Sequence, residues 1–328
     1  MDGVKAARAA FSFFKAHPRA IVVVQLVVLA VFFGSVGFAM RGSFVDAGSD
    51  LRNADPVLFV LACFVLAAYY LVFVLGWMRI LWDWGMDISY PAALRAEMVS
   101  MLAKYIPGGV WTPAARVVAA RRAGINDAAL VTVSILVEAG ISAVAGVVVF
   151  VVSLAWVKGV DAPIAPLVVF AVVVTGVLHP RVFCPLASRI LRKLGHGSLP
   201  PLRTSTMAFL LVFYCGTWLI GGAALWLLLR SVGAHPGAGS IVFLGGVAAV
   251  GAIVAVLAVF APSGLGPREA SMYGLMLAIV SPGAALSATL LNRVAITVVE
   301  VLLFVLGGLV LRKTEEDSEP AVLRDAEA

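Results

Sequence analysis

The sequence predicts an all-α polytopic membrane protein, with about six full spans and two re-entrant helical hairpins in two inverted repeats. Hydrophobic residues make up 62% of the 328 residues, charged residues make up only 13%, and long apolar runs occur throughout the chain. A soluble domain is about 45–50% apolar and about 25% charged. The composition therefore excludes a soluble enzyme, a disordered chain and a disulfide-stapled secreted domain.

The apolar runs, together with the two breaks described below, give the eight expected hydrophobic elements, which are six spans and two hairpins. A helix needs about 20 apolar residues to cross about 30 Å of hydrocarbon. The run at 239–261 is long enough to span alone, so whether it crosses fully or forms one arm of a hairpin stays open. The expected membrane domain, 20–312, lies between a cytoplasmic N-terminus, 1–19, and an acidic cytoplasmic tail, 313–328. The apolar runs lie at 20–40, 57–82, 128–157, 163–179, 206–230, 239–261 and 270–311.

Two stretches rich in proline and glycine interrupt the series of spans. The first follows the less apolar segment 92–106 and reads IPGGVWTP from Ile106 to Pro113. The second reads APSGLGPRE from Ala261 to Glu269. Proline lacks the N–H that a helix needs, and glycine permits a left-handed turn, so both stretches stop a helix. Two matched breaks favour re-entrant hairpins that line a cavity, and ordinary interfacial turns are the alternative.

The positions of the breaks suggest two repeats, 20–157 and 163–311. With the last span of the second repeat taken as 285–311, corresponding elements of the two repeats start 143 to 157 residues apart. If each hairpin returns to its own side, 18 of the 24 Lys and Arg residues lie on the cytoplasmic side and five lie outside. This bias favours that orientation, and it makes the halves inverted. We expect a plasma-membrane protein with both termini in the cytoplasm.

Charged residues inside the apolar runs are the candidate functional groups. Glu138 lies deep in its span, and Arg293 and Glu300 lie two turns apart on one helix face. Glu97 and Lys104 share a face of the first hairpin arm. Each charge costs about 2.5–3.5 kcal/mol in a membrane, so these groups need partners or a polar interior. Two interpretations stay open: structural ion pairs, and a hydrated cavity that accepts a charged headgroup or relays protons.

Catalytic and metal-binding motifs are missing from the sequence. The three cysteines form no CxxC pair, the four histidines lack metal-ligand spacing, and there is no P-loop or dinucleotide fingerprint. We therefore expect no cofactor, no metal and no nucleic acid. A transporter is favoured over an enzyme, but a membrane-embedded transferase that uses Glu97 or Glu138 as a base stays open.

Two motifs resemble a known family. The stretch Lys104-Tyr105-Ile106-Pro107-Gly108-Gly109-Val110-Trp111, with Arg116, Gly124 and the in-span Glu138 after it, resembles the lysylphosphatidylglycerol synthase transmembrane-region family, also described as flippase-like. The stretch from Pro262 to Glu269 is similar to its second motif, P-x-G-[LI]-G-x-R-E. The resemblance covers roughly residues 15–312.

The resemblance implies a role in moving lipids. In the bacterial proteins that give the family its name, this region moves aminoacylated phosphatidylglycerol to the outer leaflet, and a separate cytoplasmic domain makes that lipid. Other relatives stand alone or accompany glycosyltransferases that act on polyprenyl-linked sugars. The motifs and the in-span charges together give these candidate substrate-binding residues: Glu97, Lys104, Pro107, Gly108, Gly109, Trp111, Arg116, Glu138, Gly264, Arg268, Glu269, Arg293 and Glu300.

The sequence thus predicts a lipid translocase that passes a phospholipid or polyprenyl-linked headgroup through a polar cavity between inverted halves. Arg116 and Arg268 are expected to contact phosphate, because a guanidinium donates two parallel hydrogen bonds. The alternatives are a membrane-embedded glycosyl or aminoacyl transferase, an accessory subunit of a cell-envelope lipid pathway, and a structural scaffold. Membrane lipids are the expected partners, and a separate lipid-modifying enzyme and the oligomeric state stay open. Four acids are expected to balance the charge of the cavity or to meet a cationic headgroup: Glu97, Glu138, Glu269 and Glu300.

Overall fold

A computed structural model describes residues 48–104, 111–157, 164–193, 199, 201–258 and 261–317. Every regular element in these ranges is a helix, as the composition predicted. The N-terminal segment, the predicted span at 20–40 and the end of the acidic tail lie outside the described residues. The helices discussed below are α1 (Pro56–Asp83), α2 (Tyr90–Ala103), α3 (Trp111–Arg122), α4 (Ala128–Ser153), α5 (Ile164–Leu178), α6 (Pro180–Lys193), α7 (Thr204–Ser231), α8 (Ser240–Leu257), α9 (Pro267–Met276) and α10 (Pro282–Asp317).

Five of these helices are long and apolar enough to cross a membrane. They are α1, α4, α7, α8 and the Pro282–Leu306 part of α10. The predicted span at 163–179 contains only the 15-residue α5, which qualifies together with α6 across a 66° bend. The described part of the chain therefore has five or six candidate spans. The inverted arrangement of the two repeats stays a prediction.

The last apolar run, 270–311, contains two helices, and the second of them covers the predicted last span, 285–311. Helix α9 ends at Met276, and α10 begins only at Pro282. The ring of Pro282 disfavours the α conformation at the residue before it and removes one backbone donor, so this proline starts a helix more readily than it continues one. A short helix thus lies directly after each of the two proline- and glycine-rich breaks: α3 after the first and α9 after the second.

Side-chain caps set where the spans begin. Asp55 Oδ1 accepts hydrogen bonds from the backbone N–H groups of Val57 (2.8 Å) and Leu58 (3.4 Å), and Pro56 occupies the first position of α1. Asp127 caps α4 in the same way, through Ala129 N and Leu130 N. Such caps satisfy backbone donors that the first helical turn leaves unpaired. The polar loops before α1 and α4 thus fix the start of two apolar helices.

Helix α7 is the centre of the bundle, where it packs against α1, α4 and α8. It approaches α8 closely at Gly222 and Gly245. A Cβ atom on Gly222 would lie 2.5 Å from Gly245 N, and one on Gly245 would lie 2.6 Å from the carbonyl oxygen of Trp218. Only glycine fits at these positions, and small residues are the usual contact between helices in a membrane.

The first hairpin, α2 with α3, docks on α1 and α4 through an apolar core. Trp77 and Leu81 of α1 meet Ala93 of α2, Ala120 of α3 and Val131 of α4, and all five side chains are buried. The outer faces of the long helices instead expose large apolar side chains, as lipid-facing helices do. The burial of this core holds Glu97 of α2 and Arg116 of α3 close to the long helices.

Candidate functional site

Arg116 of α3 lies at the centre of a buried charge cluster. It forms ion pairs with Glu97 of α2 and Glu138 of α4, and its Nε donates a 3.4 Å hydrogen bond to Ser100 Oγ. The three charged residues are 2–5% exposed. A guanidinium has five donors in one plane, so one arginine can serve two carboxylates from two other helices.

Two further helices complete the surroundings of this cluster. The hydroxyl of Tyr214 on α7 donates a 3.1 Å hydrogen bond to Glu138 Oε1. The guanidinium carbon of Arg116 lies 5.0 Å from the ring centroid of Trp77 on α1, within the range of a cation–π contact. Trp77 Nε1 in turn donates to Ser134 Oγ on α4 at 2.9 Å. Five helices therefore position the two carboxylates and their shared cation.

Glu300 of α10 forms the second part of the site. Its Oε1 accepts a 2.6 Å hydrogen bond from the hydroxyl of Tyr70 on α1, and it pairs with Lys104 Nζ at the end of α2. Glu300 is 1% exposed. This ion pair joins the first hairpin directly to the last span, across the predicted boundary between the repeats.

The third part lies at the second break. Arg293 of α10 places its NH1 atom 3.4 Å from Glu269 Oε1 and 3.3 Å from the carbonyl oxygen of Ser263. Glu269 Oε2 accepts a 2.7 Å hydrogen bond from Gly266 N, as a glutamate at the third position of a helix often does. Arg293 thus ties the turn before α9 to α10.

Backbone conformation explains the glycines of this second motif. A one-turn 3₁₀ helix, Pro262–Gly264, precedes α9, with φ values of 52° at Ser263, 65° at Gly264 and 92° at Gly266. Glycine adopts positive φ without steric cost. A Cβ on Gly264 would also lie 2.5 Å from Ala255 Cα on α8, so the turn packs directly on that helix.

Lys104 interacts electrostatically with charged groups in all three parts of the site. Its ammonium is attracted by Glu97 of the first cluster and repelled by Arg268 and Arg293 of the second break. Arg268 is half-buried, and within the described residues no carboxylate lies at ion-pair distance from it. We call the following residues the ion network, with Arg268 at its edge: Glu97, Lys104, Arg116, Glu138, Glu269, Arg293 and Glu300.

The predicted site residues are thus brought together in large part. Trp111 lies apart from the ion network: it is 48% exposed and lines a groove of about 450 Å³ between α2 and α3, together with Arg95 and Val118. A second groove, of about 560 Å³, lies between α4, the α5–α6 bend and α7. Pro107, Gly108 and Gly109 lie outside the described residues. No group of three or more metal-ligating side chains forms a metal site in the described ranges.

The aromatic residues of the site were not predicted from the sequence. Tyr70 and Trp77 sit in an apolar run of α1, Tyr214 sits in α7, and none of the three was among the candidate site residues. A buried phenol or indole almost always needs a polar partner. Their position in otherwise apolar spans was therefore the available signal, although it could not say which polar group each would meet.

Comparison with known proteins supports the resemblance that the two motifs suggested. No match was found among curated proteins. Residues 20–303 match the sequence profile of a family described as the lysylphosphatidylglycerol synthase TM region. The match includes both breaks and every residue of the ion network. The chain therefore belongs to the lysylphosphatidylglycerol synthase transmembrane-region family.

Proposed function

We propose that this protein is a lipid translocase, and that the anionic headgroup of the lipid passes through the ion network while the acyl tails stay in the bilayer. Arg268 is the observation that carries the proposal. It is a half-buried cation at a helix break, beside a network whose other members are all ion-paired. The family, which is named for a lipid, gives independent support.

The chemistry of Arg268 suits a phosphate. A guanidinium binds phosphate through two parallel hydrogen bonds, and it does so best where water is partly excluded. Lys104 and Arg293 act electrostatically in the same region. Each of them can exchange its carboxylate for a lipid phosphate as the headgroup passes, so that the phosphate stays paired with a cation along its path.

A headgroup can enter only when part of the network separates, because Glu97, Glu138 and Glu300 are 1–3% exposed. The Lys104–Glu300 pair is the best candidate for that separation, since it joins the first hairpin to α10. In this proposal the hairpin of each repeat closes the path from one side of the membrane. The inverted repeats would then supply the two gates of an alternating-access cycle.

Flipping of fluorescent lipids in vesicles tests the proposal. Purified protein is reconstituted with labelled phosphatidylglycerol, phosphatidylcholine or a polyprenyl phosphate, and bleaching of the outer leaflet reports the rate. We expect protein-dependent flipping of an anionic lipid, reduced at least tenfold by Arg268→Ala and partly restored by Arg268→Lys.

Arg230→Ala is the matched control, because Arg230 lies at the end of α7 and its guanidinium carbon is 4.9 Å from the ring centroid of Trp226, away from the network. It should flip lipid at the rate of the unmodified protein. Equal rates for Arg268→Ala and Arg230→Ala would remove Arg268 from the mechanism, and the absence of any protein-dependent flipping would contradict the function itself.

A further inference from the structure

The charges of the site balance in number but not in position. Among the described residues, the ion network and Arg268 together hold four acids and four bases, so this set is neutral when all are ionised. Glu97 and Glu138, however, share the single cation Arg116. That cluster carries one excess negative charge, and Arg268 at the other end carries the compensating positive charge. The segment 105–110 contains no Asp, Glu, Lys or Arg that could alter this sum.

The groups that face the two carboxylates come from every helix packed around them. Arg116 of α3 is the direct partner, Lys104 at the end of α2 attracts Glu97, and Tyr214 of α7 donates to Glu138. Tyr69 of α1 is close enough to sense both acids. Lys104 is itself bound to Glu300. The excess negative charge of the Glu97–Glu138 pair is therefore matched in number by Arg268, which forms no ion pair with either acid within the described residues.

A bound anionic headgroup would upset this balance. A phosphodiester with one negative charge would neutralise Arg268 and leave the site with a net charge of −1. An uncompensated charge in a water-poor interior costs several kcal/mol, and an acid in that position takes up a proton instead. The acids that take up this proton most readily are Glu97 and Glu138, because these two carboxylates already share one guanidinium.

We propose that the Glu97–Glu138 pair binds one proton when an anionic headgroup binds at Arg268, so that lipid and proton cross the membrane together. The inference rests on the proposed translocase function and adds its energy source. The proton comes from water on the side that the headgroup leaves, and it sits on one carboxylate while Arg116 keeps the other. Both are released on the opposite side, and no net charge moves.

Three consequences follow from this coupling. Anionic lipid accumulates in the leaflet that faces the less acidic solution. The accumulation does not respond to membrane potential, because one negative and one positive charge travel together. A zwitterionic lipid, whose headgroup adds no net charge, is not driven by the pH gradient.

Vesicles with a pH gradient of about one unit test these consequences. One proton per lipid allows a leaflet ratio of up to about tenfold for labelled phosphatidylglycerol, since one pH unit is worth about 1.4 kcal/mol. Labelled phosphatidylcholine should stay evenly distributed. A potassium diffusion potential without a pH gradient should leave both lipids evenly distributed.

Variants separate coupling from the rest of the mechanism. Glu97→Gln and Glu138→Gln each leave one carboxylate for Arg116, remove the excess charge and should return the leaflet ratio to one. Arg230→Ala should keep the ratio of the unmodified protein. A second measurement does not depend on variants: adding short-chain phosphatidylglycerol to the purified protein in weakly buffered detergent should raise the pH reported by an indicator dye.

The possible outcomes distinguish the two proposals. Flipping of phosphatidylglycerol that reaches an even distribution in spite of the pH gradient overturns the coupling and leaves the translocase intact. Accumulation driven by membrane potential, or no proton uptake on lipid binding, also overturns the coupling. The absence of flipping under every condition contradicts the translocase, and the coupling with it.

Discussion

The hydroxyl of Tyr70 on α1 donates a 2.6 Å hydrogen bond to Glu300 on α10, so two residues 230 positions apart in sequence meet in the interior of the bundle. The adjacent Tyr69 packs edge-on against Tyr70, with ring centroids 5.3 Å apart. Tyr69 makes no hydrogen bond to another of the described residues. One tyrosine therefore serves the buried acid, and its neighbour serves packing.

Tyr70→Phe removes this hydrogen bond and keeps the ring. We expect a loss of about 1.5–3 kcal/mol in the free energy of unfolding, because the acceptor is a buried carboxylate. Tyr69→Phe removes a hydroxyl of the same kind without breaking a bond, and it should cost less than about 0.5 kcal/mol. Reversible unfolding in mixed detergent measures both. A Tyr69→Phe loss as large as that of Tyr70→Phe would contradict this assignment.

The Lys104–Glu300 ion pair should show strong coupling in a double-mutant cycle. Lys104→Met or Glu300→Gln alone leaves a buried charge without its partner, which costs about 3–5 kcal/mol. The double variant removes both charges and should cost less than the sum of the two single variants. Unfolding measurements on the four proteins give the interaction energy. Simple additivity would mean that the pair contributes nothing specific to the fold.

The helical membrane fold could be predicted because composition alone decides it. Helices α1, α4, α7 and α8 could be located because the apolar run at each of them is uninterrupted. Sequence reasoning also singled out Glu138, since a charge inside an apolar run demands a partner, and Arg116, since it follows the first break and belongs to the family motif. It did not predict that Arg116 would serve both Glu97 and Glu138. That pairing depends on how α2, α3 and α4 rotate about their axes, which tertiary packing sets.

Other features were beyond the sequence for the same reason. Lys104 and Glu300 lie 196 residues apart, so only the docking of the first hairpin against α10 reveals their contact. The last span was predicted at 285–311, close to the start of α10 at Pro282, but no bounds were predicted for the separate helix α9 before it. The groove at Trp111 arises between two short helices, and its shape depends on their packing.

Gly264→Ala should be among the most damaging small substitutions in the chain. Gly264 has φ of 65°, which costs a residue with a Cβ roughly 1–2 kcal/mol, and the new Cβ would collide with Ala255 of α8. Gly274→Ala is the matched control: Gly274 is inside helix α9, and a Cβ there would meet nothing within 4 Å. Alanine should stabilise that position slightly. Yield of monodisperse protein and thermal stability in detergent compare the two, and equal behaviour would contradict the strained turn.

Asp83 should hold the end of α1 to the start of α7. Its carboxylate accepts hydrogen bonds from Arg203 N and Thr206 Oγ1, both at 3.0 Å, and its side chain is 1% exposed. Asp83→Ala leaves these donors without their acceptor and should destabilise the protein by about 1–3 kcal/mol. Asp87→Ala, in the exposed loop that follows, should stay within about 0.5 kcal/mol of the unmodified protein. Similar losses in the free energy of unfolding for both variants would mean that the two hydrogen bonds of Asp83 add no stability of their own.

The labelling of a cysteine at position 281 should decide whether the second hairpin returns to its own side. Helix α8 has 18 residues, about 27 Å at 1.5 Å per residue, so the turn at Gly264 lies too deep to report a side clearly. Ser281 is exposed and follows α9, which packs against α8 after that turn. In a protein whose Cys63, Cys184 and Cys215 are replaced by alanine, Ser281→Cys should react with an impermeant maleimide on the outer side, as should Arg52→Cys. Arg122→Cys should react only after the membrane is opened. Labelling at position 281 from the cytoplasmic side would mean that α8 crosses the membrane once and that the two halves are not inverted.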